Sequence, residues 1–266
     1  MKRIIALLMA ILMMSVVFVG CGSTADATKD EAAASDLDYI TEKGTLVVGI
    51  TDYAPMNYKD DNGEWTGFDT EFAQAVGEKL GVEVEFIEIN WDNKFLELDS
   101  KSIDCIWNGM TITEEATLNA SVTNPYVENA QVVVMTADKA KDYKDAESMK
   151  DLSFAAEAGS AGEATISDNG WANYTAVKAQ SDALLEVASG SSDACVIDIT
   201  MANAMTGEGT SYENLVQALK LNTEQYGIAC RKDSDLTAKI NEIMATLMSD
   251  GTLDALAEKY ELALVK

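Results

Sequence analysis

Between Cys105 and Ala116 a short apolar run, Cys-Ile-Trp, breaks off into Asn108, Gly109, Met110, Thr111 and Ile112, and a helix-forming stretch begins at Thr113. A strand that ends in small and hydroxyl-bearing residues and turns directly into a helix leaves backbone N–H groups and a Thr hydroxyl at the mouth of a sheet. The start of a helix favours an anion there, because its first amides have no partner within the helix. This part of the chain is therefore expected to form an α/β unit with a ligand loop at its strand ends.

The rest of the sequence repeats the alternation of short apolar strands with amphipathic helices. Thr45–Thr51 and Val82–Ile89 read as strands. Phe68, Phe72, Val76 and Leu80 recur at helical spacing, with Gly81 placed as a C-terminal cap. Phe95, Leu96 and Leu98 mark a second helix. The strand Gln131–Thr136 leaves this first set of units, and a charged linker follows (138–150). A second set then begins: strand 153–157, a helix from Ala161, helix 182–189, strand 194–198 and helix 200–205. Residues 226–231 read as a returning strand, and two helical stripes follow, over 236–247 and 253–260. Two crossings, near residues 134 and 225, imply a hinge and two lobes, 39–134 with 226–266 and 135–225. Lobes on a hinge close around a ligand held between them.

The N-terminus reads as a targeting segment. Lys2 and Arg3 precede an uncharged apolar run from Ile4 to Val19, and Gly20-Cys21 follows, so residues 1–20 are expected to be a signal peptide. A Cys directly after a small residue at that point resembles a bacterial lipobox, although Phe18 stands where the pattern prefers Leu. Cys21 is the expected lipidation site, which would hold the chain on the outer face of the cytoplasmic membrane. Residues 21–38 are almost devoid of large apolar side chains and read as a flexible tether.

The formal charge is −26, and it becomes −28 once the first twenty residues leave with Lys2 and Arg3. This argues against a nucleic-acid partner. There is no His, and Cys105, Cys195 and Cys230 sit singly in apolar strand-like runs, so neither a metal site nor a cofactor is expected. Three buried free thiols are one reading of these cysteines, and a disulfide between two of them is another.

Several segments resemble the family 3 solute-binding proteins that serve amino-acid ABC importers. They are Gly44-Thr-Leu-Val-Val-Gly-Ile, Tyr53-Ala-Pro-Met, Gly67-Phe-Asp, the Asn108–Glu115 loop, Ala158-Gly-Ser-Ala-Gly, Ser192-Asp-Ala-Cys-Val-Ile-Asp and Tyr226-Gly-Ile-Ala, in that order over about residues 43–262. The resemblance implies a two-lobe, periplasmic-binding-protein-like (type II) α/β fold with a two-strand hinge. It also implies a monomeric receptor that gives a small amine, an amino acid, to the permease subunits of an ABC importer, and no enzymatic activity. It places Tyr53 over the ligand's aliphatic part, Gly109 and Thr111 on its α-carboxylate with Asn108 beside them, Ser160 and the backbone of Ala161 at a second carboxylate contact, and Asp198 on its α-ammonium. Trp91 and Trp107 are further stacking candidates.

The chain departs from the family at two positions. The loop normally ends in Thr-x-x-Arg, whose Arg clamps the carboxylate, and here the residue is Ala116. Glu157 occupies a position that is usually neutral and touches the ligand side chain. Both departures favour a cationic ligand over an anionic one. Two other functions stay open on the same resemblance: an enzyme like the cyclohexadienyl dehydratases, with Glu157 as its general acid, and a receptor for a cation without a carboxylate, such as a polyamine.

Overall fold

The computed structural model describes residues 35–266. The signal segment, Cys21 and the tether up to residue 34 lie outside the described residues. Helix α1 (Asp36–Lys43) starts the described chain. The Ser35 hydroxyl accepts from the Asp38 amide, and Gly44, at φ 75°, closes the helix. Asp36, Leu37 and Asp38, whose composition suits a tether, are thus helical. Asp36 is buried because the Arg231 Nε donates to both of its carboxylate oxygens at 3.0 Å, a partner 195 positions away.

Strand β1 (Thr45–Ile50) is an interior strand of the first sheet, paired on both sides. A small antiparallel pair follows it, β2 (Tyr58–Lys59) with β3 (Trp65–Thr66). Helix α2 (Phe68–Leu80) buries Phe68, Phe72 and Val76 on one face, and Gly81 caps it in the left-handed conformation. Strand β4 (Glu83–Glu88) pairs parallel with β1, and a 3-10 turn at Trp91–Asn93 leads into α3 (Lys94–Asp99). Strand β5 (Cys105–Ile106) pairs parallel with β1 on its other side, and α4 (Glu114–Asn119) and β6 (Ser121–Val122) follow. Trp107 sits edge-on to Phe72, centroids 4.8 Å apart, and is fully buried. It belongs to the core and is not among the residues that line the cavity at the strand ends.

Strand β7 (Val127–Asn129) leads into β8 (Gln131–Thr136), which belongs to the second sheet. The elements of that lobe are β9 (Phe154–Glu157), α5 (Ala161–Asp168), β10 (Tyr174–Val177), α6 (Gln180–Ser189), β11 (Ala194–Asp198), α7 (Ile199–Met205) and β12 (Leu215–Lys220). The strand order is β10-β9-β11-β8-β12, with β9 parallel to β10 and β11, and β8 antiparallel to β11 and β12. The sequence pattern did not single out β10 or β12. Tyr174, Thr175 and Ala176 are exposed on an edge, and β12 carries a register shift between Gln217 and Leu219, so neither shows a clean apolar period.

The chain returns through β13 (Glu224–Tyr226), which pairs antiparallel with β7; these two short strands connect the lobes. Strand β14 (Ala229–Cys230) then enters the first sheet between β5 and β6, giving the order β4-β1-β5-β14-β6. The expected returning strand is thus two strands, with Gly227 and Ile228 between them. Helices α8 (Leu236–Ser249) and α9 (Thr252–Lys259) end the lobe, and the apolar stripe Leu236, Ile240, Ile243, Met244 and Leu247 is buried as its spacing implied. Cys105 and Cys230 lie opposite each other across β5 and β14. Both they and Cys195 are buried free thiols.

Candidate functional site

A cavity of about 300 Å³ lies where the loop after β5 and the start of α4 meet the ends of β9 and β11 and the start of α5. Five carboxylates line it: Glu114, Glu115, Glu157, Asp168 and Asp198. Among the described residues on its wall, Lys94 is the one cation.

Asp198 is the last residue of β11 and is 4% exposed. Its Oδ1 accepts from Gln131 Nε2 at 2.7 Å and from Asn129 Nδ2, and its Oδ2 accepts from Gln180 Nε2. The same two nitrogens, of Asn129 and Gln131, donate to Glu224 Oε1 at 2.6 and 2.8 Å. Two primary amides thus bridge two carboxylates, each giving one hydrogen to each side. Burial first and the Glu224 charge second hold the Asp198 carboxyl above its ordinary range.

Glu157 ends β9, is 2% exposed, and its Oε1 has no hydrogen-bond partner among the described residues. Burial pushes its carboxyl up to about 8. The Asp198 charge adds to the rise, and the Thr51 hydroxyl and the Lys94 ammonium oppose it. A buried carboxylate oxygen left without a partner is costly. It is suited to a donor that arrives with the ligand.

Lys94 opens α3 in the first lobe and is 6% exposed. Its ammonium donates to the Trp91 carbonyl at 3.3 Å and to the Gly159 carbonyl of the second lobe at 2.8 Å, and it lies 5.2 Å from the centre of the Trp91 ring. Its spacing beside Phe95 and Leu98 suits a solvated helix face, so the sequence carried no signal for this contact. Gln180 and Glu224 were equally silent, because each is one polar residue among many. Trp91 does stand on the cavity wall.

Gly159 has φ 70°, and a Cβ there would fall 2.7 Å from the Asp92 Cα of the first lobe. Only glycine suits a left-handed turn packed that closely. The turn delivers Ser160 as N-cap of α5: its hydroxyl accepts from the Glu163 amide at 3.1 Å, and the Glu163 carboxylate accepts from the Gly159 amide at 2.7 Å. The Ala161 and Gly162 amides, first in the helix, have no acceptor among the described residues, and both Ser160 and Ala161 line the cavity.

Of the remaining expected residues, Asn108, Gly109 and Thr111 line the cavity and Tyr53 does not. Tyr53 is 1% exposed and off the cavity wall. Its hydroxyl bonds the Thr200 hydroxyl of the second lobe at 2.5 Å and the Tyr226 hydroxyl. Asn108 and Gly109 are on the wall, but their groups are already engaged. The Asn108 amide holds the Thr51 backbone and hydroxyl at 2.8–3.0 Å, and the Gly109 amide donates to Asp69 Oδ2 at 2.6 Å. The Thr111 hydroxyl donates to Glu224 at 2.7 Å. Among the described residues on the wall, the donors left without a protein acceptor include the backbone amides of Thr111 and Ala161 and the remaining hydrogen of Lys94. Ala116 lines the cavity and is 2% exposed, its amide capped by Thr113 Oγ1 at 3.0 Å.

Residues 46–263 match the model of the bacterial extracellular solute-binding proteins, family 3. The L-cystine-binding protein of Escherichia coli (strain K12) is 29% identical over 229 residues, covering 84% of this chain and 85% of that protein. The arginine-bound form of truncated ArgBP from T. maritima is similar with a TM-score of 0.73 and 33% identity, covering 79% of this chain and 99% of that one. An ancestral amino-acid-binding protein, a precursor of cyclohexadienyl dehydratase, is similar with a TM-score of 0.77 and 32% identity over 85% of this chain and 99% of the other. The two sheets, the two connecting strands and the cavity between strand ends are the type II periplasmic-binding-protein arrangement, and the chain belongs to the bacterial extracellular solute-binding proteins, family 3.

Proposed function

We propose that this protein is an extracytoplasmic receptor, anchored by lipid at Cys21, that binds an amino acid between its lobes and passes it to the permease of an ABC importer. The observation that carries the reading is the pairing of opposite chemistries across one cavity. Asp198, at the end of β11, offers a carboxylate to an ammonium, and the unpaired amide of Ala161 at the start of α5 offers a donor to a carboxylate. Relatives named for L-cystine and arginine bind ligands with both groups. The excess of acid on the wall, with Glu157 Oε1 unpartnered, favours an amino acid with a cationic side chain.

Native mass spectrometry of the purified protein tests this through whatever co-purifies. An added mass equal to one amino acid supports the reading. A bound mass lacking a carboxylate contradicts it and points to the second reading, a receptor for a bare organic cation, which Ala116 and the acidic wall favour. Conversion of the bound compound on incubation would instead mark an enzyme with Glu157 as its acid.

A further inference from the structure

We propose that Lys94 takes the place of the arginine absent at position 116, so that the ligand's carboxylate lies between the Lys94 ammonium and the start of α5. The inference rests on the receptor reading above and names how that site holds its anionic end. Three observations carry it. Position 116 is Ala, and the cavity wall offers no other cation among the described residues. An ammonium has three hydrogens, and Lys94 spends two on the Trp91 and Gly159 carbonyls, which leaves one donor on a charge that is 94% buried at the cavity wall. The Gly159 carbonyl that holds the ammonium belongs to the turn that leads into α5, and Lys94, Gly159, Ser160 and Ala161, whose amide has no acceptor among the described residues, line the same cavity.

A helix start and a buried ammonium converging on one spot from two lobes form an anion site that exists only when the lobes are together. Closure and carboxylate binding would then support each other, because the carboxylate needs Lys94 from one lobe and α5 from the other. Lys94 also has a bland role, since its bond to the Gly159 carbonyl ties the closed lobes whether or not a carboxylate is present. The two roles separate when the ligand is varied along with the residue.

The test measures binding of L-arginine with agmatine, L-lysine with cadaverine and L-histidine with histamine, by calorimetry, on wild type, Lys94→Met and Lys94→Arg. In each pair the second compound lacks only the carboxylate. Wild type is expected to favour at least one amino acid over its amine by roughly tenfold or more, the range of a charge-assisted hydrogen bond. Lys94→Met should bring that ratio close to one, whatever the lost tie between the lobes costs both ligands alike, and Lys94→Arg should keep the preference. Equal weakening of acid and amine by Lys94→Met would overturn the proposal and leave Lys94 as a tie between lobes. A wild type that binds the amines more tightly overturns both this proposal and the amino-acid reading.

Discussion

The Lys94 ammonium of the first lobe donates to the Gly159 carbonyl of the second at 2.8 Å. Tyr53 and Thr200 form a second direct link between the lobes, hydroxyl to hydroxyl at 2.5 Å. The cavity between these links is therefore that of a closed cleft, and its chemistry is the chemistry a ligand meets once the lobes have shut.

Asp198→Ala should weaken ligand binding by about 1.5–3 kcal/mol, roughly tenfold to a hundredfold. It removes the ammonium's partner and also leaves the amides of Gln131, Asn129 and Gln180 with fewer acceptors. Calorimetric titration reads the change, and an unaltered dissociation constant would remove Asp198 from the site.

Binding of a cationic ligand should release protons near neutral pH. Glu157 is pushed up to about 8 and faces Thr51, Lys94, Asp198 and Asp182. A carboxyl raised in the fold stabilises it most below the ordinary carboxylate range, and that contribution is lost as pH rises through about 8. The ligand-free protein should thus lose stability between about pH 5 and 8. A cation placed on Glu157 opposes the loss, so its affinity should rise over the same window. Titration in buffers of different ionisation enthalpy checks this: an apparent binding enthalpy that does not vary with buffer would contradict it.

Ala116→Arg should tighten amino-acid binding by about tenfold in the best geometry. It adds a second cation to the anionic end of the cavity. Because Ala116 is 2% exposed among Ile89, Met110 and their neighbours, the variant's thermal stability should be read alongside. Weaker amino-acid binding by a variant that still unfolds cooperatively would contradict a carboxylate at that end.

Arg231→Met should destabilise the fold by about 3–5 kcal/mol. The guanidinium joins Asp36 of α1 to Asp104 beside β5, with its third contact on the Ile103 carbonyl at 2.8 Å, and Asp104 is 1% exposed. Denaturant unfolding measures it, and a loss below 1 kcal/mol would mean that Lys43, 2.6 Å from Asp104, suffices.

Cys21→Ser should release the protein from membranes or block its processing. Fractionation with membranes after correct signal cleavage would mean a different anchor.

The legible parts of this molecule were those with a local signature. Strand β8 and the stripe of α8 stand where apolar periodicity puts them, and Asp198 and the α5 start were visible as a strand end and a small-residue turn. What stayed hidden depends on partners distant in sequence. Asp36 looks like tether until Arg231 arrives, Lys94 looks solvated until Gly159 meets it, and Glu224 reads as surface until Asn129 and Gln131 tie it to Asp198. Gly109 and Thr111 were expected to turn donors toward a ligand, but Asp69 accepts from the Gly109 amide and Glu224 from the Thr111 hydroxyl, each far along the chain, while the Thr111 amide stays without an acceptor at the cavity wall.

The most direct test is calorimetric titration of the ligand-free wild type with L-arginine, L-lysine, L-histidine, neutral amino acids and putrescine. The account predicts one-to-one binding of an amino acid, tightest for one with a cationic side chain, and no conversion of it. Tighter binding of putrescine than of every amino acid, or no binding of any amino acid, would contradict it.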